Sequence, residues 1–506
     1  MPQPACLSAV RGEAYTGETM APLSRPLSAR CLAALLIALA AVLAAAPAAA
    51  ATAARAIVAP ELMSASVEDR ARLATELGGQ LRARFIRFDV PWAAVEPERG
   101  VYDETYLDTL EAVADAALAN GSKLVLTFAY TPEWASDSAL WNDPPFGYSP
   151  GVYQPIYAPR ADAAADYGAM VATVAARLKD KVFAYEAWNE PNLWLFLYPQ
   201  QVTGDHEFAV RRYARLLRAC HDAVHGVGDV GGADPAALVI GGTTSPIGEG
   251  DDRTPTAYRT RPAYWAQVMK DLDLASYFDA YSHHPYVPGG TADVRPEAMP
   301  SNPRTTVNLA NIDDLLEIFP GKDFYLTEFG YNTDFSAMFG GKALTQAQQA
   351  DYLRRSYSVV GRHEQIKALF WYLRRDHSPS GKAGDRNGVY TGLRTVTNDR
   401  KRSWYAFAGG MRLTLSARSP VPAGDYTKLS GTLTCSRLAT ATSPGGVSGK
   451  TLDVQRRVDG RWKAVKTVRT RSGGHYATWV RLGGDARLRV VWRGVVTGPA
   501  RFVDVR

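Results

Sequence analysis

Cysteine is scarce: the 506 residues contain four, Cys6, Cys31, Cys220 and Cys435, and the first two fall in or before a segment expected to be removed. That scarcity excludes a disulfide framework and a zinc cluster. Cys220, in a helical run with Leu216 and Leu217, reads as a buried thiol, and a bridge from it to Cys435 would need two domains to meet at one point. Long apolar runs are also missing apart from residues 31–46, whose 16 residues fall short of the ~20 that a membrane span needs. No cysteine follows that run closely, so no lipid-anchor site is seen, and no later stretch would cross a bilayer. Charged residues are 21% and hydrophobic ones 46%, which excludes disordered, collagen-like and coiled-coil chains.

The apolar run has its own meaning. Arg25 and Arg30 precede it, and Pro47 and small residues near Ala49 to Ala51 follow, so residues 1–51 read as a secretory signal peptide, with Met20 a possible start and an uncleaved anchor the alternative. Export to a secreted, extracellular location is the expectation. The net charge of +6 hides a split, because residues 410–506 hold 18 Lys and Arg against 5 Asp and Glu, whereas the rest holds 39 against 46.

At this length one ordinary domain of about 100–200 residues is too small, but a large barrel with a small module fits. From about 55 to 410 short apolar runs alternate with amphipathic helical windows. Candidate strands are residues 56–62, 85–90, 123–130, 182–190, 238–243, 278–286, 324–331 and 366–372, with helices such as 106–119, stopped by Asn120-Gly121, and 161–178. Eight units predict an α/β fold, a (β/α)8 TIM barrel over residues 55–415, with functional side chains at the C-terminal strand ends. After Thr414 the texture changes. Two short strands around Asp459-Gly460, and further turns at Gly473-Gly474 and Gly483-Gly484, predict a small all-β sandwich over 420–506, with 419–424 as the linker.

The strongest chemical signal is Glu186-Ala187-Trp188-Asn189-Glu190-Pro191-Asn192 at the end of strand four. Period-two alternation places Glu186, Trp188 and Glu190 on one face, with Glu190 at the rim. A carboxyl in an aromatic, poorly hydrated setting resists ionisation, which suits a general acid; the plainer reading is a solvated Glu where Pro191 ends a strand. A second carboxylate, Glu328, ends strand seven in Thr327-Glu328-Phe329-Gly330-Tyr331. Strands four and seven lie across a barrel from each other, and two facing carboxylates are what glycoside hydrolysis requires.

With these residues the chain resembles clan A of the glycoside hydrolases, whose barrels carry an Asn-Glu-Pro acid/base at strand four and a Glu nucleophile at strand seven. Arg87 in Ile86-Arg87-Phe88 resembles the clan's strand-two arginine. His284-Pro285-Tyr286 is similar to its strand-six His-x-Tyr, and Trp371 stands where the clan places a sugar-facing tryptophan. The Glu-x-Trp-Asn-Glu-Pro-Asn form and Pro132-Glu133-Trp134 resemble family 39 most, with family 5, which includes cellulases, close behind; the resemblance spans roughly 80–375. The segment from Glu96 to Gly100 with Tyr102-Asp103 resembles a loop of the clan and reads as structural. One departure is Thr127-Phe128-Ala129-Tyr130, which lacks the histidine many clan members carry after strand three.

The resemblance implies a retaining glycosidase without cofactor, acting on a β-linked oligo- or polysaccharide, with Glu328 forming the covalent glycosyl-enzyme and Glu190 acting as acid and then base. It implies a carboxyl separation of about 5–5.5 Å. Asn189 would hydrogen-bond the sugar 2-hydroxyl, Tyr286 and His284 would hold Glu328 and its surroundings, and Arg87 would keep it ionised or serve only as an ion pair to Glu186. His284 as a satisfied core histidine is the plainer alternative. The aromatics Trp134, Trp141, Phe146, Tyr148, Tyr153 and Tyr157, then Trp194, Phe196 and Tyr198, read equally as a glycan platform, with Trp134 and Trp194 as substrate contacts, and as loop packing. Asp251-Asp252 reads as a solvated turn, so no metal is expected. The basic tail, with Trp462, Trp479 and Trp492, would hold the enzyme to an anionic cell-surface polymer or merely stay soluble; it lacks a nucleic-acid recognition motif. A catalytically inactive carbohydrate-binding or adhesion protein on the same barrel is the alternative function.

Overall fold

The computed structural model describes residues 53–250, 258–287, 294–335, 343–382, 385 and 387–506. The expected signal segment and Asp251-Asp252 lie outside the described residues. Eight parallel strands close into a barrel in sequence order: β1 (Ala54–Val58), β2 (Phe85–Pro91), β3 (Lys123–Ala129), β4 (Val182–Ala187), β5 (Leu238–Thr244), β6 (Ala280–His283), β7 (Asp323–Phe329) and β8 (Ile366–Trp371). Strand one was expected to run to residue 62, but Pro60 turns the chain into a short helix, Glu61–Ser64. Strand four was expected to reach Glu190 and stops at Ala187.

Helices cover the barrel: α1 (Val67–Ala74), α2 (Glu104–Ala119), α3 (Ala164–Arg177), α4 (Phe208–His225), α5 (Pro262–Asp271), α6 (Asp313–Leu316), α7 (Gln346–Val360) and α8 (Arg402–Ala408). Their ends follow from local chemistry. The Asp103 side chain accepts the Tyr106 amide at 2.9 Å to start α2, and Gly121 at φ 78° follows its last turn. Thr345 and Gln348 form a reciprocal capping box on α7. Along α4, Val210, Tyr213, Leu217, Cys220 and Val224 recur at helical spacing and are buried.

Inside the barrel, alternate strand residues make one apolar plug. Phe85 stacks on Phe183 at 4.1 Å and meets Tyr325 at 6.1 Å, while Ala56, Ala184, Ala280 and Ala368 keep the layer narrow enough to close. This plug leaves only the C-terminal end of the barrel for polar side chains.

Beyond α8 the chain turns through Gly409 and Gly410, both with positive φ, and builds two antiparallel sheets. One contains β9 (Met411–Leu413), β10 (Ser416–Ala417), β11 (Tyr426–Cys435) and β14 (His475–Arg481); the other contains β12 (Thr451–Val458), β13 (Arg461–Arg469), β15 (Ala486–Trp492), β16 (Val496–Thr497) and β17 (Arg501–Val503). The expected hairpin is β12–β13, with Asp459 and Gly460 at φ 50° and 74°, the left-handed pair that matches strand twist. Residues 419–424 are not a linker: Val421 and Ala423 bond the backbone of Asp504 and Arg506 inside the module. The module sits on α8, where Tyr405 meets Trp492 at 5.0 Å and Lys450 lies over both rings. Cys220 and Cys435 are both free and buried.

Candidate active site

Two local devices bring the carboxylates together. After β4 the backbone enters the left-handed region at Trp188 (φ 69°) and Glu190 (φ 38°), so strand alternation ends at Ala187. Glu186 therefore points into the barrel and Glu190 into the cavity above it. Trp188 is not on that face: it is fully buried outside the barrel, 6.1 Å from Tyr167, with its indole N–H on the Phe196 carbonyl at 2.8 Å. On the opposite side β7 carries one extra residue against β8 between Leu326 and Phe329. This bulge turns consecutive residues, Thr327 and Glu328, toward the same centre.

Arg87, on β2 and 1% exposed, ties the site together. Its guanidinium donates Nε to Glu186 at 2.7 Å, Nη1 to Glu328 at 2.6 Å and Nη2 to the Asn189 side-chain oxygen at 2.7 Å. Both expected roles, the ion pair with Glu186 and the contact with Glu328, coexist. Tyr286 donates its hydroxyl to the other Glu328 oxygen at 2.8 Å. His284 was expected to hold Glu328, but its Nδ1 lies 2.9 Å from Glu190 Oε1 and 3.8 Å from Glu328 Oε2. The cause is the turn after β4, which drops the Glu190 carboxyl onto the imidazole.

The hydroxyl network fixes where the protons are. Thr327 Oγ1 has one proton, and it goes to Glu186 Oε1 at 2.8 Å, since a carboxylate only accepts. Thr327 Oγ1 then accepts from Ser282 at 2.6 Å and from His284 Nε2 at 3.0 Å. Burial, reinforced by the Arg87 charge, pushes the His284 pKa well below its usual value, so the ring is neutral. With the proton on Nε2, Nδ1 has only a lone pair. The partner 2.9 Å away, Glu190 Oε1, must supply the proton.

Electrostatics agree. Burial raises the pKa of Glu190 well above the usual range, and the Glu328 charge raises it further. Burial also raises Glu328, to about 7, but Arg87 and the Tyr286 hydroxyl hold it down. Of the two, Glu328 gives up its proton first, leaving one carboxylic acid and one carboxylate.

The cavity over them, about 430 Å³, is lined by Arg87, Asp89, Tyr130, Asn189, Glu190, Trp194, Phe196, Tyr286, Glu328 and Tyr372 among others. Trp371 does not reach it. It is fully buried outside the barrel, with its indole N–H on the Thr391 carbonyl at 2.8 Å and Phe329 at 6.1 Å. One residue on, Tyr372 takes the cavity-facing place, and a Cβ on Gly330 would come within 2.4 Å of its backbone oxygen. Trp134 is also elsewhere, packed on Trp92 at 5.4 Å with its indole N–H on the Glu96 carbonyl. Glu96 itself accepts Trp92 Nε1 and the Gly100 amide, the structural part expected of that loop.

Trp194 is the tryptophan of the cavity wall, between Tyr148 at 6.1 Å and Tyr258 at 5.9 Å. Much of the long loop packs on itself, around Trp141, Tyr157 and Tyr198, while Phe146 is 92% exposed. Sequence reading did not single out Asp89, Tyr130, Thr127 or Tyr372. Tyr130 donates to Asp89 Oδ2 at 3.2 Å, and Thr127 donates to Glu186 Oε2 at 2.6 Å. The signal available for Thr127 and Asp89 was their position at the ends of β3 and β2.

No protein-family model matches the chain, and no curated protein does. Among solved structures it is similar to a family 39 glycoside hydrolase from the gut symbiont Bacteroides cellulosilyticus WH2, at 17% identity and TM-score 0.47 over 86% of this chain and 80% of that one. It is similar also to GH5_18 from Streptomyces cattleya in complex with GlcNAc, at 16% identity and TM-score 0.49 over 74% and 85% of the two chains. A GH5_18 from Bifidobacterium longum subsp. infantis aligns at 13% identity and TM-score 0.49 over 74% and 83%.

Proposed function

We propose that the protein is a retaining glycosidase of a β-linked oligo- or polysaccharide, with Glu328 as nucleophile and Glu190 as acid/base. One observation carries the reading: two buried carboxyl groups face one cavity, Glu328 on Arg87 Nη1 at 2.6 Å and Glu190 on His284 Nδ1 at 2.9 Å, which are partners of opposite effect on a carboxyl proton. His284 Nδ1 reaches Glu190 Oε1 and Glu328 Oε2 at 2.9 and 3.8 Å, so those oxygens are at most about 6.7 Å apart. That bound includes the retaining separation of about 5–5.5 Å and touches only the lower end of the inverting range of about 6.5–9.5 Å.

In the first step a Glu328 oxygen attacks the anomeric carbon while the glycosidic C–O bond breaks. The Glu190 proton passes to the departing oxygen, which leaves as an alcohol, and the sugar stays on Glu328 as an ester. In the second step Glu190, now a carboxylate, takes a proton from water as the water oxygen attacks the anomeric carbon. The ester bond breaks, and both carboxyls return to their starting states. Asn189, with its oxygen on Arg87, has its amide nitrogen to donate to the sugar 2-hydroxyl. Trp194 and Tyr372 supply ring faces for stacking.

The leader with Arg25, Arg30 and the apolar run supports action outside the cell. Among the described residues no helix is long and apolar enough to cross a membrane. The strongly basic module supports retention at an anionic cell-surface polymer.

The test is reducing-sugar release from a panel of β-linked polysaccharides and aryl glycosides, with Glu328→Ala run alongside and the product anomer followed by NMR. Release by the wild type alone with retained configuration is expected. Inverted product refutes the double displacement. No release together with glycan retention by both proteins favours a binding protein.

A further inference from the structure

A second cavity, of about 690 Å³, is lined by residues of α1 and of the segments that follow β1 and β8. The two are lined by neighbouring residues of the same two loops: Pro60 and Tyr372 face the catalytic cavity, and Glu61 and Arg374 face the other. Five arginines line it, Arg72, Arg374, Arg375, Arg394 and Arg400, against three carboxylates. The carboxylates are committed. Glu76 holds Arg374 and Arg394 at 2.7 Å each, Glu61 holds Arg374 at 2.9 Å, and Asp69 pairs with Arg72.

Arg375 and Arg400 are left without an acidic partner among the described residues. Arg400 is held flat over the Trp404 ring at 4.4 Å, with Nη2 on Gln80 Oε1 at 3.3 Å, while its Nε is buried without a hydrogen-bond partner. Burial lowers the Arg394 pKa, Glu76 pushes it back up, and the charges of Arg374 and Arg400 lower it again.

We propose that this cavity binds an oxyanion carried by an acidic glycan, a carboxylate or sulfate group, with Arg375 and Arg400 as its ligands. The planar fork of arginine matches both groups in two-point contact. The cavity has the size of a sugar-binding pocket rather than of a site for one small ion. Because Glu61 and Arg374 follow Pro60 and Tyr372 of the catalytic cavity by one and two residues, the glycan of the proposed glycosidase reading would reach from one to the other, with a neutral unit at the carboxylates and an acidic unit at the arginines; the site assignment rests on that reading only for the word glycan.

The experiment uses the full chain carrying Glu328→Ala, so that no turnover consumes the probe. Calorimetric titration compares an oligogalacturonate, a sulfated oligosaccharide, a neutral cello-oligosaccharide and inorganic sulfate. An acidic oligosaccharide is expected to bind at least about tenfold more tightly than sulfate or the neutral probe, and to lose about tenfold in each of Arg375→Ala and Arg400→Gln. An unchanged melting temperature of Arg375→Ala keeps the comparison interpretable if Arg400→Gln loosens the Trp404 contact. Acidic-probe binding that survives both substitutions places the ligand on the basic module and overturns the proposal. So does sulfate binding with no gain for the oligosaccharides. Wild-type hydrolysis of a neutral aryl glycoside, unaffected by Arg375→Ala, reports separately on the catalytic reading.

Discussion

Replacing Thr327 with valine removes one hydroxyl and keeps the shape. In the native site that hydroxyl donates to Glu186 Oε1 and accepts from His284 Nε2, and so dictates which imidazole nitrogen carries the proton. Without it Nε2–H has lost its acceptor, while the other tautomer gains a strong one: Nδ1–H facing an ionised Glu190 at 2.9 Å. A hydrogen bond to a charged group is worth about 1.5–3 kcal/mol net, and one pKa unit is 1.36 kcal/mol, so the Glu190 pKa should fall by about one to two units. In the proposed mechanism Glu190 must be protonated to act, and activity is lost as pH rises through its pKa. The basic limb of kcat/KM therefore moves down by that amount, and activity above the new pKa falls about tenfold or more. Thr327→Ser restores the hydroxyl and should restore the limb. The assay is a pH profile on an aryl glycoside for wild type and both variants. A basic limb at the same pH in Thr327→Val, with the rate lowered uniformly, refutes the proton assignment and leaves Thr327 a merely structural role.

Other expectations follow from single contacts. Tyr286→Phe removes a donor to Glu328, so the Glu328 pKa rises from about 7, the acid limb of kcat/KM shifts upward, and the rate falls roughly tenfold to a hundredfold. Trp194→Ala should raise KM on a polymer with little change in melting temperature, whereas Trp371→Ala should cost about 3–5 kcal/mol of stability in denaturant titration. Glu76→Gln should destabilise by about 3 kcal/mol, because it leaves Arg394 without a carboxylate and Arg374 with Glu61 alone. Burial pushes the Glu76 pKa up, but those two arginines hold it below its unfolded value. The stability it contributes is present at neutral pH and lost as pH falls through the folded pKa, so the gap between wild type and variant should narrow in acid.

The barrel was legible in the sequence because each strand is a continuous apolar run with a helix between, and burial on both faces leaves no other reading of eight such runs. The hairpin at Asp459-Gly460 was legible from turn chemistry alone. Glu190, Glu328 and Arg87 stood out in the sequence, and the structure brings all three to one cavity. What failed was the alternation rule carried past its domain. Trp188 was placed on the Glu190 face because period two was assumed to continue, and Trp371 was placed in the site by the family resemblance, whereas a left-handed backbone follows Ala187 and the cavity position after β8 belongs to Tyr372. The His284 partner was hidden for the same reason, since a turn decides where Glu190 lands. Thr327 carried no signal of its own: a threonine next to a glutamate looks like ordinary strand filling until a bulge turns both to one centre.

The left-handed backbone at Glu190, at φ 38°, has a consequence for how this protein can be changed. A side chain with a Cβ sits there under strain of about 1–3 kcal/mol, and its carboxyl is held away from water beside another acid. Glycine at 190 would relax both at once. The fold is thus expected to melt higher with its acid removed than with it in place, and random mutagenesis selected only for heat resistance should strike position 190 repeatedly and return inactive protein. The residue that the proposed chemistry needs is one the fold would rather lose, so under that reading thermostability and turnover must be selected together.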